Sequence, residues 1–528
     1  MNQQPKSRTI PNLLSEQAQA YSAATALISG NKKLTYAELK DAVWGAARWL
    51  IHLDVKPGDK VGVLMGNRVE WVVSTLAIAS IGATAVALNT WATGNELEYM
   101  LEHSDVKHLI LQRRFLKTDY AEVFADRESL RTKVPLLQQI IGIDEDIAPG
   151  WLPFLGKIYG ADWPSENTLQ ARLADVCKED VAILLYTSGS TARPKGVQLQ
   201  HYALIENTWN IGQRQHVTSQ DKLWLAVSLF WGYGCSNAMM NMLTHGAAIV
   251  LQEHFDAEEA LRLIEREKCT LIYATPNMAQ ALYDHPSRKT RDLSSLRGGS
   301  ASGNREQRGR AIELAPEICN LYGLSEVYGN SHVTDVDDPM DLRLTSCGRP
   351  LPGVEQKVVS PEGRRLSPGQ IGELCLKGYV TPGYYKDPEQ TAKAFDEEGY
   401  FRTGDLVYVN EHGYMFFQGR LKEMVKTGGI NVSPAEVEAV LLQHPALYLA
   451  HVVGLPDAVR GELLAAVVAK KPGAMVSGEE ILSFCKTRLA AYKVPRKIRI
   501  ISEHDLPLTT TKKVQKNKIG EVFFSEHV

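Results

Sequence analysis

Apolar positions change period several times along the chain, and the changes outline its elements. Residues 35–50 carry them at helical spacing, and 60–65 form a short apolar run of strand length. Residues 68–81 and 84–88 repeat the helix–strand pair, and 96–103 and 108–111 repeat it again. Strands separated by helical segments imply a parallel, doubly wound sheet. Residues 137–166, rich in Gly, Pro and Asp, are expected to form a surface excursion. The alternation then resumes: helix 202–211, strand 223–227, helix near 236–243, strand 247–251, helix 257–266 and strand 271–274. A second α/β unit is therefore expected after the first.

Past Cys347 the runs shorten. Residues 356–359, 371–377, 406–409 and 415–418 read as strands with Gly, Asn and Pro between them, which suggests an antiparallel sheet or barrel. From Leu421 the pattern turns mixed again, with helix 434–442, strand 448–453 and helix 479–489. Ser433 is expected to cap the first of these helices, with Pro434 at its first position. The fold class expected is α/β: a large N-terminal domain, 1–420, of doubly wound sheets plus a β-barrel-like part. A small α+β domain, 421–528, is expected to follow.

Composition narrows the class only a little. At 528 residues the chain exceeds what one core supports, and 44% hydrophobic with 23% charged residues is ordinary for a globular protein. A net charge of -3 gives no reason to expect a nucleic-acid partner. Seven scattered cysteines without a C-x-x-C pair argue for a reducing compartment, and a cytoplasmic location is expected. Residues 71–88 carry no charge and reach the length of a membrane span. Ser74, Thr75, Ser80, Gly82 and Thr84 interrupt them, so a buried helix and strand are expected instead.

The chemistry concentrates in Tyr186-Thr187-Ser188-Gly189-Ser190-Thr191-Ala192-Arg193-Pro194-Lys195-Gly196, which follows the apolar run 181–185. Glycines let the backbone turn and approach a ligand, hydroxyls and exposed N–H groups donate to phosphate oxygens, and Lys195 adds charge. It is not the Walker pattern, because no Ser or Thr follows the lysine. Cys319-Asn320-Leu321-Tyr322-Gly323-Leu324-Ser325-Glu326 places a carboxylate beside a hydroxyl, a pair suited to Mg²⁺ whose other ligands are water and phosphate. Asp405 stands at the start of a predicted strand, where Asp is depleted, and reads as a turn cap or a ligand to paired hydroxyls. Arg420 and Lys422 bring cations to the expected boundary, and the stretch from Leu506 to Lys516 is basic.

In this order and at these separations, the stretches resemble the adenylate-forming superfamily of acyl-CoA synthetases, aryl-CoA ligases, luciferases and adenylation domains, in style nearest the acid–CoA ligases. The resemblance runs from Leu34-Thr35-Tyr36 to Lys518. It implies a small mobile C-terminal domain, with the active site between the domains. The reaction it implies joins a carboxylate to Mg-ATP, releasing pyrophosphate, and then transfers the acyl group to a thiol, releasing AMP. The implied cofactors are ATP, Mg²⁺ and coenzyme A.

By resemblance, Thr187, Ser188, Gly189, Ser190, Thr191 and Lys195 hold the β- and γ-phosphates. Tyr322 stacks near the adenine, Gly298-Gly299-Ser300 forms its wall, and Ser325 flanks Glu326, which holds Mg²⁺. Asp405 and Arg420 bind the ribose, Asn431 reaches AMP, and Gly429 lines the pantetheine tunnel. Lys513 is the catalytic lysine and Lys422 the hinge. Three positions depart from the family pattern: Ala192 and Lys512 each stand where glycine is usual, and Ala301 where proline is often found.

Trp231 and Tyr233 lie where many relatives carry an acyl-pocket segment, and both also read as core aromatics. An apolar Trp231 cannot pair a substrate ammonium, which argues against an α-amino acid. Gly323 stands where acetate enzymes carry a blocking tryptophan, so an aryl or medium-size acyl acid is expected. The acceptor is expected to be CoA. A carrier protein is the alternative, for which Lys493, Arg496, Lys497 and Arg499 offer a basic patch. No membrane span is expected, and the sequence leaves the oligomeric state open.

Overall fold

The computed structural model describes residues 3–154, 164–187, 194–303, 305–427, 430–457, 461–489, 493–509 and 513–525. They fall into two compact units, Met1–Glu355 with Lys377–Gly399, and Gln356–Leu376 with Tyr400–Val528.

The first unit holds two seven-stranded sheets. One runs in the order Lys195–Gln200, Val181–Thr187, Thr84–Ala87, Lys60–Leu64, Val106–Leu111, Gln139–Gly142, Leu152–Pro153. It is parallel except for the antiparallel pair Val181–Thr187 and Lys195–Gln200. The other runs Glu317–Cys319, Gly298–Ala301, Leu271–Ala274, Lys222–Leu225, Ala248–Leu251, Thr25–Ser29, Lys32–Thr35. Parallel strands need crossovers, and the helices predicted between them supply these.

Helix Val69–Ser80 is buried along its whole length and packs on strands of both sheets. That explains the uncharged stretch: a helix covered on every side has no use for a polar face. No helix among the described residues is long and apolar enough to cross a membrane. Helix Tyr36–His52 begins with a capping box, in which Thr35 and Glu38 satisfy each other's backbone N–H groups.

The supposed surface excursion contains the strands Gln139–Gly142 and Leu152–Pro153, with Ile141, Ile143, Trp151 and Phe154 buried. The helix expected near 236–243 begins as the π-helical turn Tyr233–Met239 and becomes α-helical at Met240–His245.

In the second unit, Glu355–Val359, Gly372–Lys377, Phe401–Val409 and Met415–Arg420 form a four-stranded sheet. A five-stranded sheet follows, in which Leu447–Asp457 and Gly461–Lys470 pair over most of their length and Lys497–Ile500 lies parallel to the latter. Helices Pro434–Leu441 and Gly478–Lys486 cover one face through Val437, Leu441, Ile481 and Cys485. Helix Lys516–Phe524 covers the other through Ile519. Ser433 does not cap its helix as expected: no side-chain capping bond forms, and its hydroxyl donates to the Gln418 carbonyl. None of the seven cysteines is in a disulfide, and all but Cys177 are buried.

Candidate active site

The stretch expected to bind phosphates is flanked by two paired strands. Strand Val181–Thr187 ends at Thr187 and strand Lys195–Gln200 begins at Lys195, with the two residues opposite each other in the antiparallel register. Ser188, Gly189, Ser190 and Thr191 lie outside the described residues, as do Ala192 and Arg193. The strand pair is held from the side. Tyr99 donates from its hydroxyl to the Pro194 carbonyl at 3.2 Å, and His103 Nδ1 lies 2.8 Å from the Tyr186 hydroxyl. Burial, then the nearby Lys386 ammonium, keeps His103 below the ordinary histidine range.

Lys195 turns its ammonium over the Tyr384 ring, 4.5 Å from the centroid, and donates to Gln390 Oε1 at 3.1 Å. The hydroxyl of the same tyrosine donates to Glu326 Oε1 at 3.0 Å. Glu326 sits half-buried on the 3₁₀ turn Ser325–Val327, and its carbonyl accepts from the Thr381 N–H at 2.7 Å. One segment, 381–384, thus grips both the backbone and the carboxylate of Glu326. Burial, then the Glu326 charge, pushes the Tyr384 phenol far up, so it stays a donor at any working pH.

The expected adenine side also lies in this unit. Ser300 is fully buried in strand Gly298–Ala301, and its hydroxyl has no hydrogen-bond partner among the described residues. Gly299 has φ 120°, and a Cβ there would stand 2.0 Å from the Ile272 carbonyl oxygen, so only glycine fits. Tyr322 is buried with its ring edge-on to His332. Ser325 is half-buried beside Glu326.

Of the expected pocket residues, Trp231 is half-buried and meets Trp91 edge-on at 4.9 Å between ring centroids. Tyr233 stacks on Tyr273 and donates to the Ser300 carbonyl at 3.0 Å, which ties the pocket segment to the expected adenine wall. Gly323 has a structural reason of its own: a Cβ there would lie 1.6 Å from the Gly329 carbonyl oxygen. Glycine at this position therefore reflects close backbone packing whatever the size of the acid.

In the second unit, Asp405 is not at a strand start but inside Phe401–Val409, opposite Arg420 in the register, with Arg420 Nε 3.0 Å from Asp405 Oδ1. Lys513 closes a tight turn: its N–H donates to Thr509 Oγ1, and its carbonyl accepts from Thr509 N–H. Its side chain keeps solvent access. Desolvation and then the Arg420 charge lower its pKa. Lys512 lies outside the described residues, as does Gly429. Asn431 is in strand Ile430–Val432 and Lys422 in the 3₁₀ turn Leu421–Glu423.

The AMP-binding enzyme profile matches residues 14–385, and that of the AMP-binding enzyme C-terminal domain matches 436–513. The chain belongs to the AMP-binding enzyme family. Its curated relatives include a methyl-dioxo-octahydro-indenyl propanoyl:CoA ligase of Rhodococcus jostii, 33% identical over 99% of both chains. The medium-chain acyl-CoA ligase ACSF2 of Mus musculus is 32% identical over 97% of this chain and 87% of its own. Among solved structures, that of the anthranilate CoA ligase AuaEII in complex with anthranoyl-AMP overlays with a TM-score of 0.85 at 28% identity, covering 97% of this chain and 96% of the other. The family match ends at Tyr385, so Tyr384 falls inside it. Sequence reading missed Tyr384, Thr381 and Gln390; the one signal was a paired tyrosine after Thr381-Pro382-Gly383.

Proposed function

We infer that this AMP-binding enzyme is an ATP-dependent carboxylic acid–CoA ligase acting on an aryl or medium-size acyl acid. The observation that carries the reading is Lys195 and Glu326 on either side of Tyr384: a cation for phosphate oxygens and a carboxylate for a metal, both held by one side chain. The residues present fit the implied groups. A half-buried carboxylate beside Ser325 suits Mg²⁺, which takes one or two protein oxygens and leaves the rest to water and phosphate. The buried, unpartnered Ser300 hydroxyl suits the nucleotide.

In this reading Thr187, the loop Ser188–Thr191 and Lys195 bind the β- and γ-phosphates, and Glu326 would hold Mg²⁺, which when bound screens the phosphate charge. Asp405 and Arg420 bind the ribose. An oxygen of the acid bonds to the α-phosphorus as the bond to the pyrophosphate oxygen breaks, and Lys513 neutralises the charge that gathers there. The thiol of CoA then bonds to the acyl carbon, and AMP leaves. The two half-reactions are served by a C-terminal domain, 421–528, that turns about Lys422. The acid class follows from the relatives, which act on a bicyclic propanoate, medium-chain acyl groups and anthranilate by their names. Seven cysteines outside any disulfide support a cytoplasmic setting.

A second reading has one observation behind it. Arg496, Lys497 and Arg499 are exposed at and beside strand Lys497–Ile500, a surface suited to an acidic carrier protein as acceptor. Acid-dependent exchange of labelled pyrophosphate into ATP tests both readings at their shared step; its absence across aryl, alicyclic and aliphatic acids would reject both.

A further inference from the structure

Tyr384 is the side chain that both Lys195 and Glu326 contact, and no motif of the sequence assigns it a role. It is 9% exposed, and its own position is fixed three ways. Its N–H donates to Thr391 Oγ1 at 2.9 Å, it bridges Val197 as an antiparallel partner, and Tyr385 N–H donates to the Gly196 carbonyl at 2.8 Å. The segment therefore runs as an extra rung along strand Lys195–Gln200. Thr381 Oγ1 adds a bond to the Gln198 carbonyl at 2.7 Å.

From that fixed base the side chain does two separable things. Its hydroxyl bonds one oxygen of Glu326, and a carboxylate terminus rotates almost freely unless something holds it. Its ring offers a π face to the Lys195 ammonium, which sits at the end of four flexible bonds and also donates to Gln390. A metal ligand is served by partners that orient it, and losing one such partner commonly costs roughly 10–100-fold in metal affinity or activity.

We propose that Tyr384 is a positioning residue that aims the Glu326 carboxylate and the Lys195 ammonium at one metal–polyphosphate ligand. The hydroxyl governs the metal and the ring governs the phosphate. The proposal rests on the ligase reading for the identity of that ligand, and its test is built so that the two fail separately.

The experiment compares the wild type with Tyr384→Phe, which removes only the hydroxyl, and Tyr384→Leu, which removes the ring as well. Two quantities are read without turnover, in the absence of any acid: Mn²⁺ bound in the presence of ATP, by electron paramagnetic resonance, and ATP bound in the presence of a chelator, by calorimetry. A third is the Mg²⁺ concentration that half-saturates pyrophosphate exchange. Tyr384→Phe is expected to weaken Mn²⁺ binding and raise the Mg²⁺ requirement by about 10–100-fold. It should leave chelator-phase ATP binding and the melting temperature alone. Tyr384→Leu is expected to weaken chelator-phase ATP binding as well, by about twofold to fivefold. An unchanged metal requirement in Tyr384→Phe overturns the proposal. So does a wild type that binds no Mn²⁺ with ATP, or a Phe variant that melts lower and loses exchange equally at all Mg²⁺ concentrations. A wild type that binds Mn²⁺–ATP yet exchanges pyrophosphate with no acid rejects the ligase reading, while the binding data still decide the role of Tyr384.

Discussion

Asp405 and Arg420 face each other across two antiparallel strands, with the arginine Nε 3.0 Å from the aspartate Oδ1. The aspartate side chain is 1% exposed and the arginine 53%, so the pair is a buried anion with a cation at its mouth. Removing the arginine takes away the counter-charge that stands 3.0 Å from the anion. For a fully buried pair that costs about 3–5 kcal/mol; half the arginine surface is in water here, so about 1–3 kcal/mol is expected for Arg420→Gln. Asp405→Asn removes the charge with little change of shape and should be milder on stability. It should still raise the ATP KM about 10–100-fold, the scale of a lost charged hydrogen bond. Thermal melts and ATP titrations of both variants check this. An Asp405→Asn enzyme with an ordinary ATP KM would remove Asp405 from the ribose site.

Lys513 should show itself through pH. Its pKa lies below the ordinary lysine value of about 10.4, because of desolvation and then the Arg420 guanidinium. In the proposed role the charged form stabilises adenylation, and that form is lost as pH rises through the lowered pKa. The adenylation half-reaction should therefore fall off on the alkaline side earlier than an ordinary lysine would allow. Lys513→Arg should push that limb upward, and Lys513→Ala should slow adenylation by roughly 10²–10³-fold. Thioester formation from supplied acyl-AMP should lack the limb. Normal pyrophosphate release from Lys513→Ala would transfer the role to Lys512.

Trp231 meets Trp91 edge-on and stays half-buried, so it has one ring edge committed to packing and surface left for a ligand. Trp231→Ala should move preference toward bulkier acids, by about 1–3 kcal/mol per methylene-sized misfit, and leave the ATP KM unchanged. Equal losses for every acid together with a lower melting temperature would mark it as a core aromatic only.

Lys422 follows Arg420-Leu421 in a short 3₁₀ turn that joins strand Met415–Arg420 to strand Val425–Thr427. A turn between two strands can absorb a backbone rotation without breaking either sheet. Proline at this position fixes φ near roughly -65°. Lys422→Pro should keep adenylation within about tenfold and nearly abolish thioester production, as expected when one conformational step is blocked. Equal loss of both half-reactions, or of neither, would rule out alternation about this residue.

The alternation of helix and strand was legible because buried parallel strands and amphipathic helices write different periods into the chain. The uncharged stretch could be assigned to the interior because its Ser, Thr and Gly residues suit a covered helix such as Val69–Ser80. Strand Gln139–Gly142 was hidden because only Ile140 and Ile141 follow a pair of glutamines, and its strand state comes from pairing with Val106–Leu111. Strand Gly461–Lys470 is rich in Ala and Leu, residues of helical preference, and its long pairing with Leu447–Asp457 overrides them. Among the expected site residues, Glu326, Lys195 and Asp405 could be proposed from their own sequence neighbours. Tyr384 was not legible: its meaning lies in a carboxylate 58 residues away and in an ammonium reached across a strand pairing.

The most direct measurement supplies wild-type protein with Mg-ATP and a panel of aryl, alicyclic and medium-chain acids, with hydroxylamine, with CoA, and with neither. Pyrophosphate, AMP, ADP, hydroxamate and acyl-CoA are followed together. The expected result is pyrophosphate release that depends on the acid, a hydroxamate when only hydroxylamine is present, and acyl-CoA with equal AMP when CoA is present. Formation of ADP in place of AMP, or an adenylate that CoA does not discharge, would contradict the assignment as an acid–CoA ligase.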